Sequence, residues 1–478
     1  MERLPEEIII IIASLLPPIG LAPFATLSRP WQRAIERRTF FRLYIESTDE
    51  DLGVFSRIVW PNDMRRRFLQ DLIFTAIIDS DEKTVKPSQQ LQRFSESLTW
   101  HWRQLFCILA EDDDKTGMTL QLGYIESIRD DRGNKRPKYL RSRLVLIGNG
   151  ENFPIVKCVS NLEFCIDTSA GRVALRTAVN LIKRLPCLRR INIMAEDEEE
   201  CINNRKMEEV HLEDRHSLAN ALVNANFLPN TGCREVSLSL EQHDPIMFEL
   251  QPSWVAPNIT NSLSYDPLGA AMRMWSHNLV SLKISGVFDS SLFWPSENEQ
   301  PGIAVSSWPH LREFHATLGM TTPTGDWYFQ SEPDLPNRRN IPCEDTMQPL
   351  FAAWAKALGC MPVLEQAAIH FRVNRTAEKF AMHDDPWSVI FQAPDTNTNP
   401  ILHNWITSLE PYLQNSRFIF QNTRGWRPEE PTMRKLRQLF HDKYLGRAMT
   451  ELELDSKDDS TILDDLSFTC HVCTHIDP

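Results

Sequence analysis

Leu175-Arg-Thr-Ala-Val179-Asn-Leu-Ile182-Lys-Arg-Leu185-Pro186-Cys-Leu188-Arg-Arg-Ile191-Asn-Ile193 holds the organising pattern of this 478-residue chain. Leu175, Val179 and Ile182 recur at helical spacing. Leu185-Pro186 breaks the helix, and Leu188-x-x-Ile191-x-Ile193 then alternates like a strand. The same grammar returns downstream. Leu218, Leu222 and Ala225 precede Val236-x-Leu238-x-Leu240, and Ala271, Met274 and Trp275 precede Leu279-x-x-Leu282-x-Ile284. Leu350, Phe351, Trp354 and Leu358 precede Leu364 and Ile369, and Pro309-His-Leu311-x-x-Phe314 is a shorter version. Helix, turn and strand in repetition predict parallel strands with helices outside them. The strand positions Ile191, Val236, Leu282, Phe314 and Ala367 lie 45, 46, 32 and 53 residues apart. A regular leucine-rich repeat is about 20–29 residues long. The expected fold class is therefore α+β or α/β, with an irregular leucine-rich-repeat-like domain over residues 111–450 or another α/β arrangement. A curved solenoid of this kind offers an extended face for a protein target.

Outward from this region the pattern changes. Residues 46–110 read as mostly helical. Arg65-Arg66-Arg67 lies beside Phe68, Leu69, Leu72, Ile73 and Ile77, and Leu91, Phe94 and Leu98 lead into Trp100, Trp102, Leu105 and Leu109. The arginine triplet reads as a solvated helix face, with a nucleic-acid patch as the alternative. Ala195–Glu200, Ser331–Asp345 and Ala393–Pro400 read as polar loops. Residues 433–444 read as an amphipathic helix. From Glu451 to 478 the chain is acidic and poor in aromatics, and is expected to be disordered.

The N-terminal residues pose a conflict. The unbroken isoleucines from Ile8 to Ile12 favour strand, whereas their flanks favour helix. Pro5 suits a first helical position, Glu6 and Glu7 complement the positive helix end, and Pro17-Pro18 stops the helix. As a helix, Ile8, Ile12 and Leu15 share one face, while Ile9, Ile10 and Leu16 make the remaining surface apolar too. A helix apolar all round is buried on more than one side, and residues 1–45 cannot provide every covering surface. Leu21, Phe24 and Leu27 are expected to face inward from a second helix. Trp31, Ala34 and Ile35 would lie within a third, with Arg33, Arg37 and Arg38 outside it and Phe40, Phe41, Leu43 and Ile45 closing the unit.

Leu4-Pro5-x-Glu7-Ile8, the aliphatics to Leu16, then Leu27-Ser28-Arg29-x-Trp31 and Phe40, resemble an F-box. The resemblance implies a compact three-helix module over residues 1–45 that binds the Skp-type adaptor of cullin–RING ubiquitin ligases. It assigns helix packing and adaptor contact to Leu4, Pro5, Ile8, Ile12, Leu15, Leu16, Leu27, Ser28, Arg29 and Trp31. Pro30 departs from the family pattern, which has a polar or basic residue there, and the isoleucine run is greasier than is typical. The remainder is similar to fungal F-box proteins with a large, poorly characterised C-terminal domain. That likeness lies in Met118-Thr-Leu-Gln-Leu122, Phe153-Pro-Ile-Val-Lys-Cys158, Leu185-Pro-Cys-Leu188, Trp308-Pro-His-Leu311 and Gly325-Asp-Trp-Tyr-Phe329. It implies no enzymatic activity and no particular substrate.

Composition narrows the classes. With 42% hydrophobic and 24% charged residues the chain reads as an ordinary globular protein. A formal charge of −13 argues against a general nucleic-acid binder. The run from Ile8 to Leu16 is too short to span a bilayer, and its acidic flank is unlike a secretory signal, so a soluble cytoplasmic or nuclear protein is expected. Scattered cysteines are read as reduced thiols. Cys470-His471-Val472-Cys473-Thr474-His475 has half of a zinc site and no second Cys-x-x-Cys, so no metal is expected. Gly148-Asn-Gly150 reads as a turn, since it lacks the third glycine of a dinucleotide fingerprint. Lys135-Arg136-Pro137-Lys138, with Arg141 and Arg143, reads as an exposed basic loop or a nuclear-import patch. Trp294, Trp308 and Trp327 suit either core or a recognition surface. No nucleophile motif occurs, so no catalytic residue and no cofactor is assigned. The functional expectation is a non-catalytic substrate receptor that joins a Skp-type adaptor, and through it a cullin, to a target protein. The alternatives are an adaptor-binding protein that engages no cullin, and an enzyme with a cleft in the repeat domain.

Overall fold

Val, Ile and Leu in short alternating runs, separated by helices, produce a mixed α/β protein. The computed structural model describes residues 4–17, 19–79, 87–111, 117–127, 143–166, 172–197, 205–225, 232–242, 255–260, 263–296, 307–333, 335–371, 387–396, 414–444, 447 and 449–454. The chain divides into two compact units, Met1–Glu241 and Gln242–Pro478.

The first unit begins with helices α1 (Glu6–Leu15), α2 (Ala22–Ala25) and α3 (Arg29–Thr39). β1 (Arg42–Glu46), α4 (Asp49–Val54), a π-turn at Phe55–Val59, α5 (Asp63–Phe68), β2 (Asp71–Asp79) and α6 (Pro87–Leu109) follow. The unit continues with β3 (Met118–Ser127), β4 (Arg143–Leu144), β5 (Val159–Ile166), β6 (Arg172–Val173), α7 (Arg176–Ile182), β7 (Arg190–Asp197), α8 (Arg205–Asn224) and β8 (Glu235–Gln242). Strands β1, β2, β3, β5, β7 and β8 form a sheet whose spatial order follows the sequence, and β1 through β7 are parallel. β4 and β6 make a separate two-stranded patch.

Side chains alternate across this sheet. Leu72, Phe74, Leu120, Leu122, Leu162, Phe164, Ile191 and Ile193 are buried on one face. There α6 packs with Trp102 edge-on to Phe164 at 5.8 Å. Ser95 and Thr99 of the same helix accept hydrogen bonds from Val145 and Ile147 backbone N–H. The buried carboxylate of Asp214 on α8 pairs with Arg143 at 3.1 Å and accepts from the Leu175 N–H. Arg143, grouped by sequence with an exposed basic loop, is thus part of an interior ion pair.

The second unit comprises α9 (Pro267–Ser276), β9 (Ser281–Gly286), β10 (Glu313–Leu318), β11 (Phe329–Glu332), β12 (Leu335–Pro342), α10 (Glu344–Leu358), β13 (Gln366–Phe371), β14 (Trp387–Gln392), β15 (Arg417–Gln421), α11 (Glu430–Lys443) and β16 (Thr450–Leu454). Asp266 caps α9 by accepting from Leu268 and Gly269 N–H, with Pro267 at the first helical position. β9, β10 and β13 are parallel, β14 and β15 are antiparallel to their predecessors, and β16 is parallel to β15. The helices again cover one face. Phe440 of α11 stacks on Phe391 at 4.3 Å, and Trp354 of α10 meets Phe418 at 5.8 Å. Trp308 is core, donating its indole N–H to Ser276 at 2.6 Å.

Several expectations need correction. Leu72 to Ile77, read with the arginine triplet as a helix, form β2, because β-branched and aromatic residues sit between two parallel neighbours. Residues 42–46, read as the close of the helical module, form β1. Ser331–Asp345, read as a loop, takes in the end of β11, all of β12 and the start of α10. Glu451 to Leu454, assigned to a disordered tail, pair with β15, and Leu452 and Leu454 pack on Ala368, Ile390 and Ile419. The antiparallel pairs β13–β14 and β14–β15 depart from the all-parallel expectation. Gly148-Asn149-Gly150 is a turn with three successive positive φ angles, as its composition predicts. Lys135–Lys138, Arg141 and the Cys470–His475 cluster lie outside the described residues. No helix among those described is long and apolar enough to cross a membrane.

Candidate docking surface

The three N-terminal helices fold around a small core of Ile9, Ala13, Trp31, Ala34 and Ile35. Ile10, Ile12, Leu16, Leu21, Phe24 and Ala25 pack against it. Phe24 lies 6.1 Å from Trp31, ring to ring. The last turn of α1 leaves carbonyls without helical partners. Arg38 of α3 closes it by donating to Ala13 O and Leu16 O, each at 2.5 Å. The N-terminal turn is tied to α3 by the Arg33–Glu6 pair at 3.3 Å. Arg38, expected on the outside, instead joins two helices with a charge-assisted bond. Its long spacing from α1 in sequence gave no sign of this.

The isoleucine run resolves into two faces. Ile9 is 1% exposed and belongs to the core, whereas Ile8, Ile11 and Leu15 are 41%, 53% and 80% exposed. Positions 8, 11 and 15 lie i, i+3 and i+7 along one side of the helix, forming an apolar stripe with no covering side chain among the described residues. Leu4 at 40%, Ile19 at 90% and Leu27 at 47% are also exposed in this module. Of the residues assigned to adaptor contact, Leu4, Pro5, Ile8, Leu15, Leu27 and Arg29 are therefore accessible. Ile12 and Leu16 turn toward the core, and Trp31 is buried at its centre. Ser28 is the residue preceding α3, although its hydroxyl makes no capping bond. Leu27, expected to face inward, faces out, and Ile12, on the same side of the helix as Ile8 and Leu15, is half-buried against the core while those two are exposed. Ile11, absent from the sequence assignment, stands in the middle of the stripe.

The module is fastened to helix α5, which follows it. Arg65 of α5 pairs with Glu36 of α3 at 2.7 Å, and its guanidinium lies 5.0 Å from the Phe40 ring centre. The arginine triplet thus includes an interhelical tie.

A second candidate surface is the face of the first unit's sheet that its described helices leave uncovered. In the first unit it carries the in-register rung Tyr44, Ile73, Gln121, Glu163 and Asn192. The preceding rung is Arg42, Asp71, Thr119, Asn161 and Arg190. Burial and the neighbouring Asp71 raise the Glu163 carboxyl above the ordinary range, opposed by Arg42 and Arg190. In the second unit the sheet face opposite the helices is interior, with Ala368, Ser388, Ile390 and Ile419 buried, and it carries His315 and His370 with rings stacked at 6.3 Å. Burial, with His370 and Lys283 nearby, pulls His315 down to about 3, and burial pulls His370 down to about 4. His370 Nδ1 lies 2.8 Å from Ser388 Oγ. Ser388 has no exposed surface, so this pair has the hydrogen bond of a base and nucleophile without access to a substrate. Burial also pushes Cys233 up to about 12, which keeps its thiol protonated. Among the described residues no group of three His, Cys, Asp or Glu side chains is placed to hold a metal ion.

No protein-family model and no curated protein matches the chain.

Proposed function

We propose that the chain is a substrate-receptor subunit of a Skp–cullin–F-box type ubiquitin ligase. The N-terminal helices bind a Skp-type adaptor, and the irregular leucine-rich-repeat-like sheet presents a face to a target protein. The observation that carries this reading is the exposed stripe Ile8–Ile11–Leu15 on a three-helix module whose own core is already closed by Ile9, Ala13 and Trp31. Contiguous exposed apolar side chains with an ordered scaffold beneath them mark a protein interaction site. The i, i+3, i+7 spacing suits a helical partner that lays its own apolar side against the stripe. Parallel strands placed in sequence order, with helices on one face, support the repeat-like reading of the remainder. In this role the chain supplies effective concentration, bringing a target to a charged enzyme held by other subunits.

The test is co-purification of the full chain with the adaptor, followed by probing the complex for cullin. Leu4→Ala/Pro5→Ala/Ile8→Asp alters exposed positions only, and is expected to abolish adaptor recovery while the chain remains folded. Adaptor recovery undiminished in this variant would overturn the docking surface. Adaptor without cullin would overturn the ligase assignment and leave a cullin-independent interaction protein.

A further inference from the structure

The uncovered face of the first unit's sheet is a ladder of mostly polar side chains, and most are satisfied by one another. Arg42 bonds Asp71 at 3.2 Å, Asn161 donates to Thr119 at 3.2 Å, and Arg190 bonds Glu235 at 2.7 Å. The rung Gln121–Glu163–Asn192 is different. Among the described residues Gln121 finds only the Cys165 sulfur, at 4.0 Å, and Asn192 Oδ1 is buried without a hydrogen-bond partner. Glu163 makes no hydrogen bond or ion pair with a described residue, and the arginines of the adjacent rung are drawn toward Asp71 and Glu235. A half-buried carboxylate and a buried amide oxygen, side by side on parallel strands about 4.8 Å apart, are acceptors without donors. Such groups are costly unless a donor arrives.

We propose that this rung is a receptor subsite for an arginine side chain of a target protein, seated on Glu163 and Asn192. The proposal rests on the reading of the sheet face as target-binding. A guanidinium supplies several donors in a planar fork, so it can engage both Glu163 oxygens and still reach the neighbouring Asn192 Oδ1. An ammonium is a compact charge that cannot span the two strands of this rung in the same way. The aliphatic stem of the arginine finds Met194 and Cys165, which share the next rung in register. Charge complementarity agrees, since Glu163 is a half-buried carboxylate with no ion pair to a described arginine.

Met194 provides the readout. The full chain labelled with 13C at methionine methyl groups is titrated with N-acetyl-arginine amide, and the Met194 resonance is assigned by Met194→Leu. The expected result is a saturable shift of Met194, absent with the isosteric citrulline analogue and weaker with N-acetyl-lysine amide. Glu163→Gln is expected to weaken binding about tenfold or more, the loss of a charged hydrogen bond. The other methionine resonances should remain in place and adaptor recovery should be unchanged. Equal shifts with citrulline, or an unchanged affinity in Glu163→Gln, would overturn the subsite. Equal affinity for the lysine analogue would overturn the guanidinium assignment. Adaptor binding is scored separately in the same variant, so failure of the subsite and failure of the docking surface are told apart.

Discussion

Ile9 and Ile11 are chemically identical and separated by one residue, yet alanine should affect them in opposite ways. Ile9 is 1% exposed at the centre of the N-terminal core, so Ile9→Ala removes methyl and methylene groups from packed surroundings. Such truncations cost about 2–5 kcal/mol. Ile11 is 53% exposed, and its truncation should change folding stability by no more than about 0.5 kcal/mol. Full burial of an isoleucine stabilises by about 1.5–3 kcal/mol, so covering the exposed half of Ile11 contributes roughly 1 kcal/mol to docking. Hydrogen exchange of the α3 amides reports opening of this module. With tenfold for each 1.4 kcal/mol, Ile9→Ala should lower their protection by about 30-fold or more, while Ile11→Ala should leave it unchanged. Adaptor affinity should fall about fivefold in Ile11→Ala. Equal loss of protection in the two variants would refute the assignment of inner and outer faces.

Arg38→Ala should destabilise the module by about 1–3 kcal/mol, because Ala13 O and Leu16 O lose their shared donor; thermal unfolding with Arg38→Lys as the partial rescue measures it. Asp214→Asn should destabilise by up to about 3–5 kcal/mol by removing the buried carboxylate that pairs with Arg143, read from urea midpoints at constant slope. His315 and His370 have folded-state pKa values below their ordinary 6.5, so the unfolded chain binds more protons at mildly acid pH. Their contribution to the second unit is complete above pH 6.5 and drains as pH falls toward 4, at up to about 1.4 kcal/mol per pH unit for each histidine. The double variant His315→Gln/His370→Gln should flatten the stability profile between these limits, and an unaltered slope would refute the buried neutral pair.

The strand–helix grammar was legible because Val236, Leu238 and Leu240, or Leu282 and Ile284, alternate cleanly between polar neighbours. Such alternation follows directly from the pleat. β2 was misread because Leu72, Ile73 and Ile77 fit a helical stripe as well as a strand. Its strand identity comes from pairing with β1 and β3, which periodicity cannot express. β14 and β15 escaped because Val389-Ile-Phe391 and Phe418-Ile-Phe420 are apolar on both faces. Within the N-terminal module, a run of identical isoleucines carries no information about rotation of the helix. Its orientation is set by small Ala13 facing Trp31 and by Arg38 gripping the last turn, contacts of long sequence separation. The Glu163–Asn192 rung likewise became visible only through the register of three parallel strands.

The central claim is that the outer stripe of α1 is an apolar docking surface for a Skp-type adaptor. Calorimetric titration of the full chain with purified adaptor at several temperatures tests it most directly. Saturable binding with a negative heat-capacity change, the marker of apolar burial, is predicted for the wild-type chain. Loss of that binding is predicted for Ile11→Asp/Leu15→Asp with α3 protection intact. Absence of binding, or binding that survives both aspartates, would contradict it.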